Sequence, residues 1–419
     1  MKIAIVGIGV SGLVAAHLLH PDHDVTVFEA ESRAGGHAHT VDVTVDGREH
    51  AVDTGFIVYN EPNYPRFCTL LRDLGVATQP TDMSFGVADR ASGLEFRTSN
   101  LNTIFAQRRN LVSPSFVRLL ADIVRFNRAA RDLAETATEA HDETIEAFVR
   151  SGRYSHGFFR QFVVPLGAAL WSADPETFNE FPALAYVRFL HNHGMLNTIG
   201  RPRWRTITGG SRSYVDALTA RLAGRVRLAS PVHKIVTADD GDGRAYVELL
   251  SARGPERFDR VVVATHSDQA LRMLADATPA ERSILGAIRY QRNTTTLHTD
   301  ERMLPANRRA RASWNYAISD GSRRSTVTYW MNSLQAIESS RPLLVTLNRR
   351  DEIDDRSVLA ELDYAHPVFD LGAMSAQRRL AEIQGRRGLF FAGAYWGNGF
   401  HEAGVQSAHA VVAAIGAEQ

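Results

Sequence analysis

The chain opens on a short apolar run, "KIAIVGI", rich in β-branched residues, followed by "SGLVAAHLL" with helical character and "DVTVFEA" with strand character. Strand, helix and strand of these lengths predict a βαβ unit. Next, "HTVDVTVDGREHAVDTG" alternates apolar and polar positions on both sides of Asp46 and Gly47, a dipeptide suited to a tight hairpin turn. From residue 63 the pattern turns helical, through "PNYPRFCTLLRDLGV" and the long "SPSFVRLLADIVRFNRAARDLAETA", so that residues 63 to 204 read as an inserted domain. Strand character returns in "RVRLASPVHKIVTA", "AYVELLSA" and "RFDRVVVATH", as in a β-meander. A further strand-rich block, "NTTTLHTD", "ASWNYAI", "STVTYWMN" and "LLVTLN", carries many aromatic and polar residues. The apolar strand "GLFFAGA" then leads through "FHEAGVQSAHA" into a helix of small residues ending near Gly416.

With 419 residues and 44% hydrophobic composition, the chain exceeds what one core usually organises, and two interleaved domains are expected. Residues 1–62, 205–275 and 385–419 form one, of α/β type with a Rossmann-like sheet and a β-meander; residues 63–204 and 276–384 form the other, of α+β type with a mixed sheet and helices. Forty-seven basic residues balance 47 acidic ones, so no global charge points to nucleic acid. The single cysteine, Cys68, lies among helix-like Phe67, Leu70, Leu71 and Leu74; it cannot form an internal disulfide and suits a reducing compartment. "MKIAIVGIGVSG" reads as strand and turn rather than as a leader, and no run of about 18 apolar residues occurs. A cytoplasmic location follows as the expectation.

The chemistry begins at "GIGVSG". Gly7, Gly9 and Gly12, with Val10 and Ser11 between them, join the first strand to the first helix, and Glu29 ends the second strand, followed by Ala30. Glycines there permit a tight turn, close approach to a pyrophosphate and close helix packing; the helix N-terminus attracts phosphate and Glu29 can accept ribose hydroxyls. Dinucleotide binding is therefore expected. In "EAESRAGGHAHT", Arg33 stands four residues after the acid, ahead of Gly35, Gly36 and His37. This segment resembles the FAD signature of the amine oxidase, phytoene desaturase and protoporphyrinogen oxidase superfamily. "DTGFIVYN", with Gly55 and Phe56, resembles the stretch passing the flavin; "SPVHKIV", with Val232, resembles the adenine-contacting strand; "VVVATH" and "LFFAGAYWG", with Gly393, resemble the returning strand and the closing flavin motif.

The closer resemblance, carried by "GGHAHTVDV", "TDMSF", "FAQRRNL", "WRTITGGSRSYV", "AIRYQRN", "ASWNY" and "GAYWGNGFHEAG", is to bacterial NAD/FAD-binding flavoproteins. These are similar to the N-terminal half of plant cyclopropane synthases and often accompany enzymes that methylate unsaturated acyl chains. The resemblance implies FAD as cofactor, a lipid acyl substrate and, by association, an acyl-chain methyltransferase partner.

"FHEAGVQSAHA" also invites a zinc-helix reading, but two ligating histidines on one helical face need a spacing of four, and position 405 is Val while His409 is eight residues from His401. No metal site is expected. Gly397, Gly399 and Gly404 have the wrong spacing for a second nucleotide loop, and no βαβ unit follows them. With no pyridine-nucleotide site, an oxidase or dehydrogenase is expected rather than a reductase. The resemblance implies that the last helix aims its N-terminus at the flavin, with Gly404 allowing close approach and the Val405 amide donating. His401 would accept a proton with Glu402 orienting it, or would only pack against the ring; Tyr59 is the alternative base.

On the substrate side, Trp314, Tyr316, Tyr329, Trp330, Tyr395 and Trp396 form either a pocket wall or a sheet core. His37 replaces the arginine often found after Gly-Gly in amine oxidases, and Lys2 and Lys234 are the only lysines, so amine chemistry carries over poorly. The helix beginning near Ser113 carries Arg118, Arg125, Arg128 and Arg131, with Arg108 and Arg109 just upstream. It reads as an ordinary amphipathic helix or as a peripheral contact with anionic lipid on the inner face of a membrane. Three functions stay open: hydride removal from an unsaturated or methyl-branched acyl chain, an amine oxidase, and a flavin-bound accessory subunit of a lipid methyltransferase.

Overall fold

In the computed structural model, residues 1–138, 142–197, 200–239, 245–319 and 324–417 are described. The first strand, Lys2–Val6, lies at the centre of a five-stranded parallel sheet, between Asp24–Phe28 and Arg260–Val263. Val226–Arg227 and Leu389–Phe391 close its two edges. The apolar runs read as buried strands do pair here, because helices cover the sheet. The first helix, Val10–Leu19, and the last, His401–Gly416, share a core with Phe390 and Val262. The meander is Val232–Asp239, Ala245–Ser251 and Gly254–Phe258, antiparallel throughout. The hairpin Thr40–Val45 and Arg48–Asp53 turns at Asp46 (φ 48°) and Gly47 (φ 77°), the pair of positive φ values that a type I′ turn requires.

The second large sheet has seven strands, in the order Val358–Pro367, Tyr290–His298, Leu344–Leu347, Val327–Trp330, Trp314–Ile318, Phe85–Asp89 and Leu94–Arg97. Its last two strands depart from the helical reading of residues 63 to 204. Phe85–Asp89 is a short parallel strand whose partner, Trp314–Ile318, lies far along the chain, so local periodicity carries no trace of it. Helix Pro65–Asp73 forms where the sequence reads as helical, and its Phe67, Leu70 and Leu71 pack with Leu13 and Val405 in the core beside the five-stranded sheet. The fold is thus α/β joined to α+β, with a mixed sheet and helices in the second part. The long helix, Pro114–Thr136, packs through Phe116, Leu119 and Phe126 and buries Asp122, which pairs with Arg118 and Arg125. Among the described residues no helix is long and apolar enough to cross a membrane.

Candidate active site

A cavity of about 950 Å³ is lined by residues of both large sheets, Val6 and Phe28 of one and Tyr290, Trp314, Tyr329 and Tyr364 of the other. That volume lies at the upper end of the range of roughly 300–1,000 Å³ typical of small-molecule sites. One stretch of its wall is the turn after the first strand. Gly7 (φ 97°) donates its amide to the Phe28 carbonyl at 2.8 Å, and a Cβ on it would meet the Ala264 carbonyl at 2.9 Å. Gly12 does not line the cavity; a Cβ there would lie 1.9 Å from the Gly7 carbonyl oxygen, so this glycine lets the helix sit against the turn. Gly9 is different. It caps the first helix without a side-chain partner, and a Cβ on it would meet nothing within 4 Å. Open space in front of free helix amides is what an anionic phosphate group needs.

The Glu29 carboxylate accepts from the amides of Ile8 at 2.9 Å and Glu31 at 2.8 Å, which fixes it in the cavity wall while lone pairs remain for ribose hydroxyls. Arg33 pairs with Glu31 at 3.0 Å and donates to the Gly36 carbonyl at 2.8 Å, bracing the Gly-Gly turn. Val10, Ser11, Ala30, Gly35, Gly36, His37, Gly55, Phe56, Val232 and Gly393 line the same cavity. His37 is half-buried, and its Nε2, which is buried, has no partner, an orphan polar atom left for a ligand. Burial, with His366, His266, His401 and Arg33 nearby, holds its pKa well below the usual histidine value. Glycine cradle, helix end, acid and orphan nitrogen together fit a dinucleotide.

His401 also lines the cavity, stacked on Phe56 with ring centroids 3.5 Å apart and an interplanar angle of 12°. Its Nε2 lies 2.9 Å from the hydroxyl of Tyr214, a fully buried residue missed in the sequence. Burial lowers the His401 pKa to about 3, so the ring is neutral at working pH and a poor base. Glu402 does not orient it. Its carboxylate accepts from the amides of Arg66 at 3.2 Å and Phe67 at 3.0 Å, capping helix Pro65–Asp73, and from Gln406 at 3.1 Å. Helix amides with no internal partner compete for a nearby carboxylate, which explains the turn away from the cavity.

Tyr59 is likewise outside the cavity wall. Burial raises its pKa, and Arg205, which donates to Thr78 beside it, offsets part of that effect. Gly404 and Val405 lie within the last helix. A Cβ on Gly404 would sit 2.7 Å from Val10 Cγ1, so that glycine serves helix packing. The Gly404 amide already donates to the Phe400 carbonyl at 3.2 Å, and Val405, fully buried one residue further on, has its amide inside the helical ladder. The unpaired amides at this helix end are those of His401, Glu402 and Ala403, a turn earlier than the sequence suggests.

A second stretch of wall is aromatic and aliphatic: Tyr64, Trp171, Phe189, Trp204, Trp314, Tyr329 and Phe400, with Met83 and Leu170. Of the six aromatics singled out in sequence, Trp314, Tyr329 and Tyr395 reach the cavity, while Tyr316, Trp330 and Trp396 do not. Trp171, Phe189 and Phe400 form a contiguous ring cluster, with centroids 4.8 Å and 4.7 Å apart. The charged residues lining the cavity are Glu29, Glu31, Arg33, Asp268, Arg272, Arg292 and Asp363. Cys68 is half-buried, with its thiol pKa raised by burial, and does not line the cavity. Among the described residues no group of three ligating side chains could hold a metal.

A dinucleotide cradle and a stretch of aromatic wall in one cavity are the arrangement of an oxidoreductase that holds its cofactor and a small-molecule substrate together. The chain belongs to the flavin-containing amine oxidoreductase family, whose model matches residues 10–314. It is an FAD-dependent oxidoreductase. Solved structures share the fold at low identity. Putrescine oxidase bound to putrescine matches with 16% identity and a TM-score of 0.70 over 100% of this chain and 99% of that one. Cyclohexylamine oxidase from Brevibacterium oxydans matches with 16% identity and a TM-score of 0.71 over 100% and 99%. A CLA-producing fatty acid isomerase from P. acnes matches with 16% identity and a TM-score of 0.69 over 98% of each chain.

Proposed function

We propose that the protein removes hydride from a hydrophobic substrate, an unsaturated or methyl-branched fatty acyl chain. The observation that carries this reading is the number of aromatic and aliphatic side chains in the cavity wall, Trp171, Phe189, Trp204, Trp314, Tyr329 and Phe400 among them, which offer apolar contact to a substrate. Neither Lys2 nor Lys234 lines the cavity. FAD, when bound, supplies the hydride acceptor. In this reading the Gly7–Gly9 turn and the first helix end hold its phosphates, Glu29 its ribose, Val232 its adenine and Gly55 and Phe56 its ring. The aromatic wall excludes water and aligns the chain. Its kinship with a family named for amines leaves amine oxidation as the competing reading. Purified holoenzyme mixed anaerobically with unsaturated fatty acids, phospholipids bearing unsaturated or methylated chains, and a panel of amines separates them. Bleaching by acyl chains supports the proposal. Bleaching by amines alone overturns it, and bleaching by none favours an accessory subunit of an acyl-chain methyltransferase.

A lipid substrate also gives meaning to the surface around the long helix. Leu101 and Val112 are 74% and 84% exposed, and Val117 and Val124 are exposed on one helix face at i and i+7. Residues 97–128 hold six arginines and one acid, a local excess of five in a chain whose net charge is zero. Apolar side chains rimmed by arginine complement an anionic lipid surface. Cosedimentation with phosphatidylglycerol vesicles, but not with phosphatidylcholine vesicles, is the expected result; equal binding to both, or to neither, would remove this part of the proposal.

A further inference from the structure

Two cavity histidines have ring nitrogens whose partners determine where the proton sits. At His366 the proton's place is set from the backbone outward. The amide of Thr294 can only donate, and it donates to Asn348 Oδ1 at 3.0 Å; the carbonyl of Ser325 can only accept, and it accepts from Asn348 Nδ2 at 2.9 Å. The orientation of Asn348 is therefore fixed. Its Nδ2 also donates to Asn293 Oδ1 at 2.7 Å, which leaves Asn293 Nδ2 to donate to the Ser172 carbonyl at 3.1 Å and to His366 Nδ1 at 2.9 Å. His366 Nδ1 must then be a bare acceptor, and the ring proton belongs on Nε2.

At His401 the determining partner is Tyr214. That residue is fully buried, and among the described residues its hydroxyl has His401 Nε2 as its one hydrogen-bond partner, at 2.9 Å. If the hydroxyl accepted from Nε2–H, its own proton would be buried with nothing to receive it, a costly arrangement. The phenol therefore donates, Nε2 is bare and the ring proton sits on Nδ1. Both rings line the cavity, and neither remaining nitrogen is buried against protein without a partner. Burial keeps both neutral, with pKa values pushed down to about 3 for His401 and about 4 for His366.

We propose that His401 and His366 face the cavity as fixed neutral donors, through Nδ1–H and Nε2–H respectively, and that they receive an electron-rich acceptor, a carbonyl or ring nitrogen that gains negative charge when the cofactor is reduced. Tyr214 and Asn293 are positioning residues that act through them. This inference rests on the flavin site and not on the identity of the substrate, so it survives if the acyl-chain reading fails. Aimed, uncharged donors in a dry site stabilise developing negative charge without reorganisation.

The test uses FAD-loaded protein and ¹⁵N spectra of its histidine side chains at neutral pH. The expected pattern is a protonated Nδ1 with a bare Nε2 at His401, and the reverse at His366. An imidazolium at either residue, or the opposite tautomer, overturns the proposal. Asn293→Asp replaces a donor with an acceptor and should move the His366 proton to Nδ1; an unchanged tautomer in a folded variant overturns that half. Tyr214→Phe should mix the His401 tautomers and shift the flavin midpoint potential to more negative values while FAD stays bound. A merely structural tyrosine would leave that potential at the wild-type value, and such a result overturns the other half.

Discussion

Replacing Glu402 with alanine separates a capping role from a catalytic one. Glu402 is 6% exposed, and its carboxylate accepts from two amides of helix Pro65–Asp73, at 3.2 Å and 3.0 Å, besides Gln406. Hydrogen bonds to charged groups contribute about 1.5–3 kcal/mol each, and loss of a helix cap costs about 0.5–2 kcal/mol. These overlap rather than add. Because the freed amides lie beside buried Phe67, Glu402→Ala should destabilise the fold by roughly 2–4 kcal/mol, and Glu402→Gln, which keeps one acceptor oxygen, by about half as much. Urea unfolding at fixed excess FAD, read by far-UV circular dichroism, measures the difference. Turnover by the folded Glu402→Gln variant should stay near wild type. A stability change below about 0.5 kcal/mol together with a collapse of turnover would show that Glu402 works on the reaction and not on the helix.

Gly9→Ala places a methyl in the open cradle without touching protein and at a φ of −68°, which alanine tolerates. The apoprotein should keep its stability while FAD binding weakens about tenfold or more, roughly 1.4 kcal/mol, in a fluorescence titration. Gly404→Val crowds Val10 and Ser11 and should cost about 1–3 kcal/mol of stability, with FAD lost on gel filtration. Asp53 is buried beneath Thr40, Ser211 and Gln335, and desolvation raises its carboxyl from 3.8 to about 6. A raised carboxyl means the folded chain binds the proton more tightly than the unfolded one. Its contribution is fully present below about pH 4 and is lost as pH rises through 6, an effect of up to about 3 kcal/mol. Asp53→Asn should flatten that part of the stability profile in urea midpoints; an identical slope in both proteins would contradict the assignment.

The nucleotide end of the site is legible in sequence because its parts are local. Gly7, Gly9, Gly12 and Glu29 sit within one βαβ unit, and the chemistry of each follows from spacing alone. The other end is not local. Trp171, Phe189 and Trp204 come from helices and a short strand that only tertiary packing brings to the cavity, and no periodicity marks them as lining rather than core. Tyr214 meets His401 across 187 residues, and Glu402 finds its backbone partners 336 and 335 residues away. Sequence pattern carries no information about backbone amides as partners, which is why an acid beside a histidine looked like a catalytic pair. The Val405 assignment shifted for a smaller reason: the helix begins at His401, so its free amides precede that residue. Strand Phe85–Asp89 escaped notice because five residues inside a largely helical stretch are too few to establish a period.

Hydride removal from an apolar chain is tested most directly by mixing holoenzyme anaerobically with an unsaturated fatty acid and with the same acid deuterated at its allylic carbons, following flavin absorbance in a stopped-flow instrument. Reduction of the flavin by the acid, slowed severalfold by deuterium, is the expected result. Flavin that stays oxidised with both acids, and is reduced only by an amine, would contradict it.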